Sequence, residues 1–267
     1  LQLAASSIRL SEDTAAAVNR ITGEDRFIGD FLAEEVFAYL DPELQIFLLK
    51  TSILSRFCAS LCERVTGLDN AQSLIEKLEQ ENIFIFPLDN TREWYRYHSL
   101  FSEFLRRRLA LEMPEAASGL NSLAAQWWAD QGMTAEAVIH SLSAENYNAA
   151  LDLIYINAQS MLAGGEIITL VGWMESVPKE YLHQRPEMLL IYAWSSLISG
   201  RATWQEIQHI ATEAGQLLGV SDEDVMAKIA ESSADPDVLR NLCFFAQLKG
   251  FFARNAGDWE KAKKLFE

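Results

Sequence analysis

Cysteine, proline and basic side chains are all scarce in this chain. Three cysteines among 267 residues, Cys58, Cys62 and Cys243, build no disulfide framework and point to a reducing, cytoplasmic compartment. Six prolines and thirteen glycines exclude a collagen-like or low-complexity chain. No apolar run reaches the roughly 18–20 residues that span a bilayer. The longest, Met188 to Ile198, carries Ser195 and Ser196 and is too short. Lysine and arginine number 22 against 38 acidic residues, a net charge of −16. A surface that acidic repels phosphate backbones, which argues against nucleic-acid binding by these residues. Enzyme signatures are missing as well: no G-x-x-x-x-G-K-[ST] phosphate loop, no G-x-G-x-x-G, no H-E-x-x-H and no nucleophile elbow.

What is present is an ordinary globular composition, 49% hydrophobic and 22% charged. At about 150 residues per domain it suits one large domain or two ordinary ones. Leu1 is no initiator methionine, and the helical pattern of Phe252 to Glu267 meets no cap or breaker, so an internal fragment of a longer protein is expected.

Apolar residues recur at three- and four-residue spacing, which predicts a mainly α fold. Phe27, Ile28, Phe31, Leu32, Val36, Phe37 and Leu40 stripe one helix, and Asp41-Pro42 ends it and opens the next. Leu44 to Leu54 reads as a buried helix, Leu61 to Thr66 as a short one closed by Gly67, and Asn70 as the N-cap of Leu74 to Glu81. Ile83–Pro87 and Glu93–Tyr97 are rich in β formers around an Asp89-Asn90 turn, and predict one hairpin. A helix carrying Leu100, Phe101, Phe104, Leu105 and Leu109 follows from Ser99. Helices, a hairpin and a helix is the element order of a winged-helix domain, in which Trp94, Phe101, Phe104 and Leu105 are expected to share one core.

Beyond Leu111 only helix is expected. Gly132, Gly200 and Gly257 each have a small residue seven positions earlier (Ala125, Ala193, Gly250), and two have an alanine five positions later (Ala137, Ala262), where the third has Gln205. That spacing suits helix pairs approaching closely around a glycine turn, as in tetratricopeptide-like repeats. Leu218 to Pro236, with Asp222, Glu223, Asp224, Asp235 and Asp237, reads as an acidic, more mobile connection.

Few side chains invite chemistry. Cys58 and Cys62 share a helix face, but no second pair supports a metal, and burial is the preferred reading. His140, His183 and His209 stand alone in helical pattern and suit solvated or capping roles. Arg106-Arg107-Arg108 sits in a segment, 24–110, with ten basic and fifteen acidic residues, so it reads as a solvated or domain-pairing face rather than a DNA grip. Trp127, Trp128, Trp173, Trp194, Trp204 and Trp259 read as repeat core, with one or two available to line a groove. His98 falls where the second strand hands over to a helix. There it either caps and packs the corner, or meets an anion favoured by the helix N-terminus and by Arg96.

The strings Leu3-Ala4-Ala5, Phe47 to Leu54, and Leu88-Asp89 through Trp94-Tyr95-Arg96-Tyr97-His98-Ser99-Leu100-Phe101 with Phe104-Leu105-Arg106 resemble the ATP-dependent LuxR-type transcription activators of the MalT branch. Ala124 to Trp128, Gly132, Glu136 to His140, Trp173-Met174, Val177-Pro178 and Arg185-Pro186 fit the same pattern through roughly the first 200 residues. The resemblance implies a division into the end of a nucleotide-binding region (1–23), a winged helix (24–110), a helical arm (111–160) and tetratricopeptide-like sensor repeats (161–267). It implies a cytoplasmic signal-transduction ATPase of the STAND class when full length, with ATP and ADP as its nucleotides. Its partners would be the upstream nucleotide-binding domain of the same chain, an inducer or regulatory protein at the repeats, and further copies in the active state, with no membrane. It also implies that His98 senses the bound nucleotide's phosphate. By itself this segment is expected to be no enzyme and to show neither ATP turnover nor duplex-DNA binding. A helical-repeat scaffold for another protein, without a nucleotide role, is the alternative.

Overall fold

The structure is a computed structural model that describes residues 34–231 and 235–266. The chain divides between Glu145 and Asn146 into two compact units, each built mainly of helices.

In the first unit a helical stretch over 34–38 buries Phe37; the rest of the stripe predicted from Phe27 lies outside the described residues. α1 (Pro42–Thr51) starts with its proline in the first turn, where the missing N–H costs nothing, and buries Leu44, Phe47, Leu48 and Leu49. It ends three residues before the predicted Leu54. α2 (Ala59–Thr66) closes on Gly67, whose φ of +76° is a left-handed turn that favours glycine. α3 (Ala71–Gln80) follows. Asn70 stands at its N-cap position, but the side chain does not cap it and donates instead to Glu43 Oε1 at 3.1 Å.

The hairpin is shorter than predicted: β1 (Ile85–Pro87) pairs antiparallel with β2 (Tyr95–Tyr97), Phe86 opposite Arg96. Ile83 and Phe84 are spent on the exit from α3. Ile83 N–H bonds to Leu78 O at 2.8 Å, and Phe84 turns with φ +48°. The Asp89 carboxylate builds the tip by accepting from the N–H groups of Glu93 and Trp94, both at 3.0 Å. The hairpin has a third partner with no local sequence signal: Phe57 bridges Tyr95 through reciprocal backbone bonds of 2.9 and 2.8 Å. α4 (Ser99–Glu112) follows, with its Phe101 against Tyr97 of β2.

Alternation along β2 separates the aromatics. Tyr95 and Tyr97 point inward and are buried, whereas Trp94 and Arg96 take the other side of the strand. Phe101 packs on Phe84 (ring centroids 4.8 Å apart) and on Phe104, and Leu105 is fully buried beside them. Trp94 is therefore not part of that core. It stacks on Trp128 of α5 (Ala116–Asp130), 5.5 Å and 15° between rings. The expectation of one shared core ignored this two-residue period.

α5 and α6 (Thr134–Ser143) form a tight pair around Gly132. The second unit continues with α7 (Tyr147–Gly164), α8 (Ile167–Glu175), α9 (Lys179–Leu182), α10 (Pro186–Ser199), α11 (Trp204–Leu218), α12 (Val225–Glu231), α13 (Pro236–Asn255) and α14 (Trp259–Phe266). Gly200 turns α10 into α11 and Gly257 turns α13 into α14, both with positive φ. The spacer residues Ala125, Ala193, Gly250, Ala137 and Ala262 are buried as the spacing requires, and Gln205 is exposed. A further turn of this kind joins α7 to α8 at Gly165, with buried Ala158 seven positions earlier, a match hidden in the sequence by the adjacent Gly164.

The acidic stretch 218–236 is largely folded. Ser221 and Asp224 hydrogen-bond at the head of α12, Val225 is buried, and Asp222 sits between Lys249 (3.0 Å) and Lys261 (2.7 Å). Burial pushes the Asp222 carboxyl up, but hydrogen bonds and charge from the two lysines outweigh it and hold the group below the usual carboxylate range. Those lysines lie 27 and 39 residues downstream, beyond any local pattern.

Close packing in the second unit has a measurable consequence. A Cβ on Gly215 of α11 would fall 2.7 Å from Cε2 of the buried Phe245 ring and 3.1 Å from the Val220 carbonyl. Gly215→Ala is expected to destabilise by about 1–2 kcal/mol, because overpacking exceeds the helix-propensity gain of about 1 kcal/mol. A urea midpoint that rises in the variant would contradict this packing.

Candidate functional site

The hairpin–helix corner gathers several polar and charged side chains of the first unit. β2 ends at Tyr97, and His98 N–H bonds to Phe84 O at 2.7 Å, so the backbone is anchored to the exit of α3. His98 itself is the N-cap of α4: its Nδ1 accepts the N–H of Leu100 at 3.3 Å. Nδ1 is thereby committed as an acceptor, and the proton of the neutral ring sits on Nε2, which donates to nothing among the described residues. Burial, and then the positive charge of Arg96, push the His98 pKa down, so the ring is neutral at physiological pH. The capping reading of His98 is thus realised through one ring nitrogen, and the other remains a donor.

Beside this corner opens a cleft of about 450 Å³ lined by Leu54, Ser55, Arg96, Ser99, Ser102 and Arg106, with Tyr97 and Glu103 completing it. Arg96 lies over the Phe86 ring, 5.5 Å from its centroid, and makes no ion pair among the described residues. Arg106 donates from Nε to Ser52 O at 2.8 Å, which fixes its guanidinium plane. The arginine run therefore splits three ways: Arg107 pairs with Glu103 and Arg108 with Glu112, while Arg108 also covers the Phe37 ring at 4.7 Å. Three adjacent residues on a helix face three directions, 100° apart, so they form no continuous basic face.

The remaining histidines and cysteines fall elsewhere. His140 is neither solvated nor a cap: it is buried on α6, with Nδ1 2.8 Å from Asn121 Oδ1 of α5. His183 pairs with Glu213 at 2.6 Å. Cys62 is fully buried, which pushes its thiol pKa up, and Cys58 lies 3.4 Å from the Ser60 hydroxyl. Among the described residues no group of three His, Cys, Asp or Glu side chains is placed to hold a metal, and no helix is long and apolar enough to cross a membrane. Of the tryptophans, Trp128 is fully buried, whereas Trp204 and Trp259 are exposed. A second cavity, about 340 Å³, lies in the other unit between α7, α10 and α13, floored by Ala158, Leu190 and Ile191 and rimmed by Tyr155, Arg240 and Asn241.

Helices α1–α3, a hairpin with a third bridging strand residue, and α4 packed beneath it define a winged-helix domain, here followed by helix pairs. A family model described as the MalT winged helix domain matches residues 33–117. Over 99% of its length the chain is a relative of HTH-type transcriptional regulators MalT: 34% identical to that of Serratia proteamaculans and 33% to those of Yersinia pestis and Yersinia pseudotuberculosis. It spans 28% of the length of each of these relatives.

Proposed function

We propose that this chain is the regulatory portion of a MalT-like, ATP-dependent transcription activator of the LuxR type, and that it couples inducer sensing to a nucleotide switch. The observation that carries the proposal is the Nε2–H of His98: a neutral, oriented donor at the head of α4 with no protein acceptor among the described residues. A phosphate oxygen on a nucleotide held by an upstream domain fits that donor. In this reading residues 1–23 end or follow the nucleotide-binding region, 24–110 act as the winged helix, 111–160 as an arm and 161–267 as the sensor. The glycine turns at Gly132, Gly165 and Gly200 lie 33 and 35 residues apart, which supports tetratricopeptide-like repeats. The cavity between α7, α10 and α13 supports a sensor surface on them.

The mechanism is a population shift. With ADP bound, the His98 contact favours the closed state; an inducer at the repeats favours the open one, which takes up ATP and self-associates. ATP supplies γ-phosphate contacts and slow hydrolysis in the whole cytoplasmic protein, a STAND-class signalling ATPase, and this chain contributes no catalytic group. His98→Ala in the complete protein is expected to weaken ADP retention at least about tenfold and to raise inducer-independent transcription, because a hydrogen bond to a charged partner is worth about 1.5–3 kcal/mol. ADP affinity that stays unchanged while the melting temperature falls would leave His98 as a cap alone and would favour a helical-repeat scaffold without a nucleotide role.

A further inference from the structure

We propose that the cleft beside α4 is a phosphate-binding site in its own right, with Arg96 and Arg106 as its ligating side chains. The proposal deepens the nucleotide reading but does not require His98, which is absent from the cleft's lining.

The charges of this region are the first reason. Segment 24–110 carries fifteen acidic side chains against ten basic ones, yet the cleft is lined by two arginines and a single acidic residue, Glu103, which is itself paired with Arg107. A local reversal of sign inside an acidic surface is a feature that solvation of the helix does not need.

The guanidinium groups are also held and unspent. Phe86 supports Arg96 by a cation–π contact, and the carbonyl of Ser52 orients Arg106 through Nε alone, which leaves both of its terminal nitrogens without a hydrogen bond among the described residues. Held guanidinium planes bind oxyanions better than mobile ones, since less side-chain entropy is lost on binding.

The donor count then selects the anion. Two guanidinium groups and the hydroxyls of Ser55, Ser99 and Ser102 present more donors than the two oxygens of a carboxylate satisfy, whereas a phosphate or diphosphate group offers enough acceptors. A volume of about 450 Å³ accommodates a diphosphate with room for water. The acidic surround repels an extended nucleic-acid backbone, so a single phosphate-bearing molecule is favoured.

The test is a titration of this chain with inorganic pyrophosphate at low ionic strength, followed by calorimetry and by amide NMR shifts of residues 96–106. Arms with ADP and with citrate run beside it, as do the variants Arg96→Gln, Arg106→Gln, Ser102→Asp and His98→Ala. Saturable, salt-weakened binding is expected, reduced about tenfold or more by either glutamine change and abolished by Ser102→Asp, since each removes a charge-assisted contact or adds a repulsive charge. Binding that survives His98→Ala supports a site independent of that residue. ADP tighter than pyrophosphate identifies a nucleotide as the source, and equal affinities identify the phosphate groups alone; both support the site. Ser102→Asp leaves the Arg106–Ser52 anchor intact, so the test does not hinge on whether Arg106→Gln folds. No binding at about 10 mM pyrophosphate, affinities unchanged in all three cleft variants, or citrate bound as tightly as pyrophosphate would overturn the proposal.

Discussion

Trp128→Ala is expected to cost about 3–5 kcal/mol, the range for a buried aromatic cut back to alanine and a large share of a domain's total stability. The indole is 1% exposed, stacks on Trp94, and meets the edge of Trp127 at 5.0 Å. Arg56 lies over both stacked rings, 4.9 and 5.2 Å from their centroids, and forms an ion pair with Glu136 of α6. Removing the ring therefore opens a cavity and strips the guanidinium of its aromatic floor. The Trp128 Nε1–H has no hydrogen-bond partner among the described residues, so a phenylalanine gives up no bond there. Trp128→Phe should accordingly cost markedly less than the alanine change. Urea unfolding with a nearly constant slope measures both. Equal losses, or an alanine variant within about 1 kcal/mol of the parent, would mean that the cluster does not hold α5 against the winged helix.

The second large effect is one of pH. Burial first, and then the charge of Arg106, lower the His140 pKa from 6.5 to about 4, against a smaller opposing pull from Glu136. The neutral ring donates from Nδ1 to Asn121 Oδ1. Because the folded pKa is depressed, the unfolded chain takes up a proton near pH 6.5 that the folded chain refuses until about pH 4. The stability contributed by neutral His140 is thus fully present above pH 6.5 and is lost as the pH falls through that window, by about 3 kcal/mol in all. His140→Gln keeps a donor for Asn121 and removes the titration. The difference between parent and variant stability should narrow by about 3 kcal/mol from pH 7 to pH 4, whatever the carboxylates contribute to both. Parallel curves would place His140 in contact with water.

Local pattern made much of this legible. Apolar spacing within two turns marked the helices, Pro42 and Gly67 marked an entry and an exit, and the small residues around Gly132, Gly200 and Gly257 marked helix pairs. The place of His98 between strand and helix followed from β formers stopping at Tyr97 and helix pattern starting at Ser99. Each of these signals lies within a few residues of its effect, because a helical turn or a pleat is decided by near neighbours.

The amino-acid sequence by itself determined a mainly helical, acidic chain with one hairpin, a winged-helix element order, the glycine turns, and His98 at the strand-to-helix corner. Only the tertiary structure decided that Trp94 leaves the Phe101–Leu105 core for Trp128, that Phe57 adds a bridge to the hairpin, that His140 is buried, and that Arg96 and Arg106 share a cleft. Those outcomes join residues from ten positions apart, Arg96 and Arg106, to 38 apart, Phe57 and Tyr95. Which distant surfaces meet depends on how whole helices pack, and no local period encodes that choice.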